Sequence, residues 1–389
     1  MKKYFIHTFG CKVNQYESQL ISENFKKNNF ERSLKPEDAD VIILNSCTVT
    51  RKADKECQYL IRKLSKLSNN PKLILTGCLV KNKNVDLNKM FPNIEVITDK
   101  TILFNEPQKQ TVSWHDKHSR AFLKIQDGCN SFCSYCIVPY VRNVLWSKPE
   151  NEVISEITNL IKNGYSEIVL TGIHLGKYEG CLSTLVEKII HIDFDFRIRI
   201  SSIDMNEIDD KLIELMNANP NKICRHLHIP LQSGSEKILK QMNRKYSKNY
   251  FEEKAAEIIK RLPDLALTTD IITGFPDETE EHHKETCEFV KKLPFSGFHI
   301  FRYSDRNGTK AFQFKNKVPP DEIKKRSKDL FEIDLIKRKI FLTKNLGTRR
   351  KAVKIGTNKL LTDNYIIIET NTSKISGISE IKITENSKI

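Results

Sequence analysis

Cys129-Asn-Ser-Phe-Cys133-Ser-Tyr-Cys136 places three thiols on eight consecutive residues. Soft sulfur donors at this spacing select zinc, Cu(I) or an iron–sulfur cluster. A structural zinc needs four closed ligands, commonly two C-x2-C pairs. Here only three cysteines are local, and no fourth Cys or His follows close by. Three thiolates can hold three irons of a cubane and leave the fourth iron open to a substrate. Three more cysteines, Cys11, Cys47 and Cys78, each follow a short apolar run and are separated by 36 and 31 residues. The other four, Cys57, Cys181, Cys224 and Cys287, match no ligand spacing and read as ordinary thiols. Ten cysteines in a chain whose first residues, MKKYFIHTFG, are too short and polar for a secretory signal point to metal or catalysis rather than disulfides.

These groups need elements to position them. Tyr4–Thr8, Val41–Leu44 and Lys72–Leu75 read as short buried strands. Gln15–Phe25 and Thr50–Leu67 read as helices, the second capped by Thr50. Strands alternating with helices predict a parallel sheet, whose ligands gather at the carboxyl ends of the strands. The three dispersed cysteines all lie at that edge, so they can meet. Residues 101–119 are polar and without period, and read as a linker after a first domain at 1–100. A second alternating array follows, with strands at Ala121–Gln126, Glu167–Thr171, Arg197–Ser201, His226–Pro230, Ala266–Thr273 and Ser296–Tyr303. Helices are expected at 150–163, 182–191, 206–217, 248–262 and 279–291. Six βα units over 120–320 predict a partial (βα)6 barrel, with active groups at the strand ends. A long basic helix is expected from Asp321 to Phe341, connecting (321–343) to a small β appendage at 344–389. The fold class is α/β throughout the first two domains.

Composition narrows the partner. The 389 residues carry 64 Lys and Arg against 49 Asp and Glu, a net charge of +15. This favours an anionic partner, nucleic acid first. Segment 321–389 holds +7 of that excess, and six basic residues from Lys344 to Lys359 meet no acidic one. Arg349, Arg350, Lys351 and Lys354 are the candidate phosphate contacts, which give affinity without sequence choice. No apolar run reaches the length of a membrane span.

The C-x3-C-x2-C loop of Cys129, Cys133 and Cys136, with Tyr135 before its last cysteine, resembles the radical S-adenosylmethionine superfamily, and the likeness extends over nearly the whole chain. Gly10-Cys11-Lys-Val-Asn14-Gln-Tyr-Glu-Ser18, Asn45-Ser-Cys47-Thr-Val-Thr50 and Thr76-Gly-Cys78 resemble the three cysteine loops of the methylthiotransferase family. Phe122–Cys129, Ile229–Ser235, Thr269–Pro276 and Phe301–Arg306 are similar to its later motifs. Lys12-Val13-Asn14, Asn45–Thr50 and Thr171-Gly-Ile-His-Leu-Gly176 resemble the MtaB-type branch, which acts on N6-threonylcarbamoyladenosine next to the anticodon of tRNA. Asn143 and Lys148 depart from the family's usual Gly and Arg.

The resemblance implies two [4Fe–4S] clusters. Cys129, Cys133 and Cys136 would hold the one that chelates S-adenosylmethionine, and Cys11, Cys47 and Cys78 an auxiliary one. One molecule of S-adenosylmethionine would methylate a cluster-borne sulfur. A second would yield the 5′-deoxyadenosyl radical that takes the adenine C2 hydrogen. That hydrogen has no acidity for a His or Glu to exploit, so the cofactor must do the chemistry. Tyr135 is implied to lie against the cofactor's adenine. Thr171-Gly172 and Ser201-Ser202 end two barrel strands, where small residues let backbone approach a ligand; they read equally as strand-end punctuation. Gln232 and Asp270 sit at later strand ends, where they can meet a ligand or tie down loops. His226 and His228 share one strand face and read as satisfied polar groups, with no metal assigned. The appendage resembles a short TRAM domain, a tRNA-gripping β-barrel. The expected setting is the cytoplasm, with tRNA and a reducing electron donor as partners, no membrane and no stable protein partner. Two rivals remain: the same chemistry on isopentenyladenosine of tRNA or a ribosomal-protein aspartate, and a non-catalytic, metal-stabilised RNA-binding protein.

Overall fold

A computed structural model describes residues 1–104, 110–114, 120–372, 375 and 377–389. Parts of the expected linker, 105–109 and 115–119, lie outside the described residues. The chain forms two compact units. One comprises Met1–Asp116, Asp127–Leu145 and Ser304–Phe312; the other Lys117–Gln126, Trp146–Tyr303 and Gln313–Ile389.

The first unit is built on a five-stranded parallel sheet. Strands Lys3–Thr8, Val41–Ser46 and Lys72–Gly77 fall where their apolar runs predict, each a residue or two longer. Two-residue strands at Glu31–Arg32 and Glu95–Val96 complete it. Neither carries an apolar run, so no pattern announces them. In chain order the strands stand 2-1-3-4-5, so the direction of winding reverses between the first and third. Open α/β sheets bind ligands at such a reversal, outside the carboxyl ends. Helix Lys12–Lys27 buries Val13, Tyr16 and Leu20, spaced by three and four residues, and Ile21 beside them. Helix Arg51–Leu64 buries Cys57, Ile61 and Leu64 and opens on Thr50, whose hydroxyl accepts the Ala53 N–H at 3.1 Å. Cys57 is therefore a core residue beneath the sheet.

In the second unit six parallel strands follow one another in chain order. Ala121–Lys124, Glu167–Thr171 and Arg197–Ile200 form one run; His226–His228, Ala266–Thr273 and Gly297–Arg302 form the other. Parallel bridges Ile198–Ile223 and Ser202–His228 join them. This is the partial (βα)6 barrel expected. Glu167–Thr171 and Ala266–Thr273 begin and end as predicted; an additional short helix, Glu236–Gln241, follows the fourth strand. The long helix runs Pro320–Asn345. The appendage is a four-stranded antiparallel sheet of Arg349–Gly356, Lys359–Thr362, Ile367–Glu369 and Ile378–Lys382, where three strands were expected. The extra strand is four residues long, and Asn358 in the left-handed region turns the chain into it. Ala352, Leu360, Ile366, Ile368 and Ile383 pack beneath it with Phe341 and Ala266. Among the described residues no helix is long and apolar enough to cross a membrane.

Arg197 and Arg199 fasten this sheet to the barrel. Both are buried on a strand, which is tolerable because their guanidinium nitrogens find acceptors, one shared carboxylate and four carbonyls. Glu167, fully buried, takes bonds from Arg197 (2.7 Å) and Arg199 (2.9 and 3.1 Å). The remaining guanidinium donors reach the carbonyls of Lys351, Leu361, Thr362 and Asp363 at 2.7–3.0 Å. Burial opposes ionisation of Glu167, but Arg199 and Arg197 outweigh it and hold its carboxyl well below the usual range. We expect Glu167→Gln to destabilise this unit by about 3–5 kcal/mol at neutral pH, since it leaves two buried cations unpaired. The Glu167 contribution is present above the unfolded carboxyl's pKa and lost as pH falls toward the lower folded one. Chemical unfolding of wild type and variant should therefore converge in acid. A gap independent of pH would contradict the ion-pair account.

Candidate functional site

The sheet of the first unit delivers Cys11, Cys47 and Cys78 at the carboxyl ends of its three long strands. Cys11 and Cys47 follow the two strands that flank the winding reversal. Cys78 and Cys11 stand near enough to Cys47 that, after burial, their charge helps push its thiol up to about 11. Gly10 is at φ +84°, and a Cβ there would stand 2.7 Å from Cys47 Cβ and 2.8 Å from its Sγ. Only glycine keeps the space beside that sulfur open.

Polar side chains tie the three loops together. Asn14 Nδ2 donates to the carbonyls of Phe9 (2.8 Å) and Ser46 (2.9 Å). Asn45 Nδ2 donates to the Asn14 carbonyl at 2.9 Å. Ser46 Oγ donates to the Thr76 carbonyl at 2.5 Å and accepts the Leu79 N–H at 3.1 Å. These residues sit inside the motifs recognisable in the sequence, yet only the fold shows that they buttress one another.

The Cys129–Cys136 loop belongs to this same unit. Gly128 (φ +80°) makes its tight entry; a Cβ there would lie 2.1 Å from the Val144 carbonyl oxygen. The Cys129 N–H donates to the Arg142 carbonyl at 3.1 Å and the Cys136 N–H to the Cys133 carbonyl at 3.0 Å. Cys129, Cys133, Cys136 and Tyr135 are all half-buried. Segment Ser304–Phe312 braces both cysteine sets. Arg306 Nη2 donates to Thr48 Oγ1 (2.6 Å) and pairs with Asp54 (2.7 Å), next to Cys47. The Ala311 N–H donates to the Ser134 carbonyl at 2.7 Å. Arg306 was visible as part of a motif, but its role as a brace was not. All ten cysteines are thiols. Two triads of soft donors, one beside a sulfur kept clear by glycine, fit iron–sulfur ligation.

In the second unit, Thr171 and Ser201 end neighbouring strands in register: Leu170 pairs with Ile200, and the Ser201 N–H donates to the Leu170 carbonyl at 3.1 Å. Thr171 is buried, Ser202 exposed. A Cβ at Gly172 would come within 3.0 Å of Gln126 Oε1, which accepts the His174 N–H at 2.7 Å. Farther round, Asp270 Oδ1 is shared by His228 Nε2 (3.0 Å) and His299 Nδ1 (3.2 Å). His228 Nδ1 meets Thr268 Oγ1 at 3.0 Å, as does His226 Nε2 at 3.1 Å. Burial opposes it, but these imidazole bonds hold the Asp270 carboxyl below its usual range. The three groups are near enough to ligate an ion, though His228 Nε2 and His299 Nδ1 already point at the carboxylate. Gln232, at φ +74°, uses its backbone to bridge Ile271.

The four basic residues of the appendage differ. Arg349 is exposed and pairs with Glu380 at 3.3 Å. Lys351 and Lys354 are partly exposed. Arg350 is mostly enclosed, bound to Asp264 (2.7 Å) and Asp363 (3.2 Å).

Six parallel strands in chain order, with a C-x3-C-x2-C loop after the first, define a radical S-adenosylmethionine enzyme, and the Radical SAM superfamily model matches residues 123–290. S-adenosylmethionine and a [4Fe–4S] cluster come with that class. Residues 3–99 match the uncharacterized protein family UPF0004. The threonylcarbamoyladenosine tRNA methylthiotransferase MtaB of Bacillus subtilis is 37% identical, over 80% of this chain and 76% of its own. A tRNA-2-methylthio-N(6)-dimethylallyladenosine synthase of Clostridium botulinum is 34% identical, over 96% and 90%. The chain belongs to the radical S-adenosylmethionine methylthiotransferase family. It is thus an enzyme, not a metal-stabilised binding module. Among solved structures, the radical S-adenosylmethionine methyltransferase TsrM of Kitasatospora setae shares the fold, with TM-score 0.58 and 11% identity over 78% of this chain and 75% of that one.

Proposed function

We propose that this enzyme transfers a methylthio group to C2 of N6-threonylcarbamoyladenosine next to the anticodon of tRNA, in the cytoplasm. The observation that carries this reading is the 37% identity to a threonylcarbamoyladenosine methylthiotransferase, together with a second cysteine triad at the winding reversal of the first sheet. The bound cofactors supply a 5′-deoxyadenosyl radical and a cluster-borne sulfur. Cys129, Cys133 and Cys136 hold the radical cluster, and Cys11, Cys47 and Cys78 hold an auxiliary [4Fe–4S] cluster. Tyr135 would lie against the cofactor's adenine. Thr171-Gly172 and Ser201-Ser202 present backbone and small polar groups to S-adenosylmethionine. The Asp270 carboxylate with its two imidazoles gives the barrel a hydrogen-bonding group suited to a substituent carrying a urea, a hydroxyl and a carboxylate; a prenyl chain offers it no partner.

Functionally, 1–100 serves the auxiliary cluster, 120–320 the radical barrel, 321–343 connects, and 344–389 grips tRNA as a short TRAM-like domain. Phosphate contacts fall to Lys351, Lys354 and Arg349, the last exchanging Glu380 for phosphate. Arg350, held by two carboxylates, is a weaker candidate. A low-potential electron donor completes the partners.

The dimethylallyladenosine reading keeps a specific support, the 34% identity over 96% of the chain. Nucleoside mass spectrometry of tRNA from a host lacking its own methylthiotransferases, with and without this gene, separates the two. We expect 2-methylthio-N6-threonylcarbamoyladenosine to appear and unmodified N6-threonylcarbamoyladenosine to fall. Methylthiolated isopentenyladenosine instead would overturn the substrate assignment.

A further inference from the structure

Arg142 follows the radical motif by six residues, yet its guanidinium is committed elsewhere. Nε donates to Cys78 Sγ at 3.3 Å. Nη1 donates to Glu17 Oε1 (3.1 Å) and to Asp127 (2.8 and 2.9 Å); Nη2 donates to Glu17 Oε2 (2.8 Å) and Asn14 Oδ1 (2.7 Å). All five donors of the fork are therefore used. The side chain is 7% exposed. Its backbone carbonyl meanwhile receives the Cys129 N–H. One residue thus touches a thiol of one cysteine set with its side chain and a ligand of the other set with its backbone.

We propose that Arg142 is a positioning residue that sets the reduction potential of the auxiliary cluster through its bond to Cys78; this rests on the reading of Cys11, Cys47 and Cys78 as cluster ligands. An N–H donated to a cluster sulfur stabilises the electron-rich, reduced state, and hydrogen bonds to sulfur are a main determinant of cluster potential. The local charges strengthen the effect. Glu17 and Asp127 are balanced by Arg142 and by Lys100, whose Nζ lies 2.5 Å from Glu17 Oε2. Loss of Arg142 leaves an uncompensated carboxylate next to the cluster in a poorly solvated site, where such a charge acts strongly. Both consequences disfavour reduction. Lysine keeps the charge but offers a compact ammonium in place of the planar fork, so it cannot serve Cys78 together with Glu17, Asp127 and Asn14.

The test uses the full chain with Cys129, Cys133 and Cys136 replaced by Ala, so that a single cluster reports. If this parent, reconstituted anaerobically with iron and sulfide, holds no iron, the auxiliary-cluster reading itself falls. If it holds a cluster, Arg142→Lys and Arg142→Gln are titrated with redox mediators and followed by electron paramagnetic resonance. With iron content unchanged, Arg142→Lys should show at least a tenfold lower reduced-to-oxidised ratio at fixed potential, equal to 59 mV for one electron. Arg142→Gln should show more, along with an altered spectrum. Should the Gln variant fail to retain iron, the Lys variant decides. A Lys variant with the parent's potential and spectrum would overturn the proposal.

Discussion

Replacing Cys129, Cys133 and Cys136 together by alanine is expected to reduce 5′-deoxyadenosine formation from S-adenosylmethionine to background. It should also remove about half of the roughly eight irons that two four-iron clusters contain. The expectation follows from the donor set. Three half-buried thiols lie on one loop, and nothing nearby in sequence replaces a lost thiolate. The loop's shape does not depend on the sulfurs: the Cys129 N–H to Arg142 carbonyl and Ala311 N–H to Ser134 carbonyl bonds are backbone bonds that alanine retains. The variant should therefore fold, and loss of cleavage would report loss of the cluster rather than of the domain. Iron analysis and quantification of 5′-deoxyadenosine under reducing, anaerobic conditions check it. Continued cleavage in the triple variant would refute the assignment.

Replacing Cys11, Cys47 and Cys78 by alanine should separate the two halves of the chemistry. Cleavage of S-adenosylmethionine should persist within a fewfold of wild type, while methylthiolated tRNA falls below detection. Iron should again drop by about half. The struts between these loops run through Asn14, Asn45 and Ser46, not through the thiols, so the strand ends keep their places. Arg142 loses its sulfur acceptor but retains Glu17, Asp127 and Asn14. The split between the two readouts is the diagnostic feature. Retained methylthiolation would mean that the transferred sulfur does not depend on this triad. Loss of cleavage as well would mean that the first unit has lost its packing around the radical loop.

Much of this protein was legible in its order of residues. Short β-branched runs alternating with amphipathic helices are local patterns, and burial on both faces of a parallel strand writes itself directly into composition. The main parallel strands of both units are therefore found where those runs lie, and the cysteines are found at strand ends. The C-x3-C-x2-C loop needs no fold to be noticed, because its ligands are neighbours in the chain. Other features depend on partners far apart in sequence. Arg142 reaches Cys78 across 64 residues and Glu17 across 125. Arg197 reaches the Lys351 carbonyl across 154. A buried arginine looks in sequence like any surface cation; only its encirclement by acceptors removes it from solvent. The same physics gives Arg350 two carboxylate partners, Asp264 and Asp363, that lie outside the basic run. The strand Glu31–Arg32, whose pairing with the first strand creates the winding reversal, has no apolar signature, because it is held by backbone bonds at an edge. The sequence by itself determined which side chains are soft sulfur donors and which long apolar segments are strands. The tertiary structure decided which charges remain available and which side chains stand beside the sulfurs, because both depend on contacts that no local period encodes.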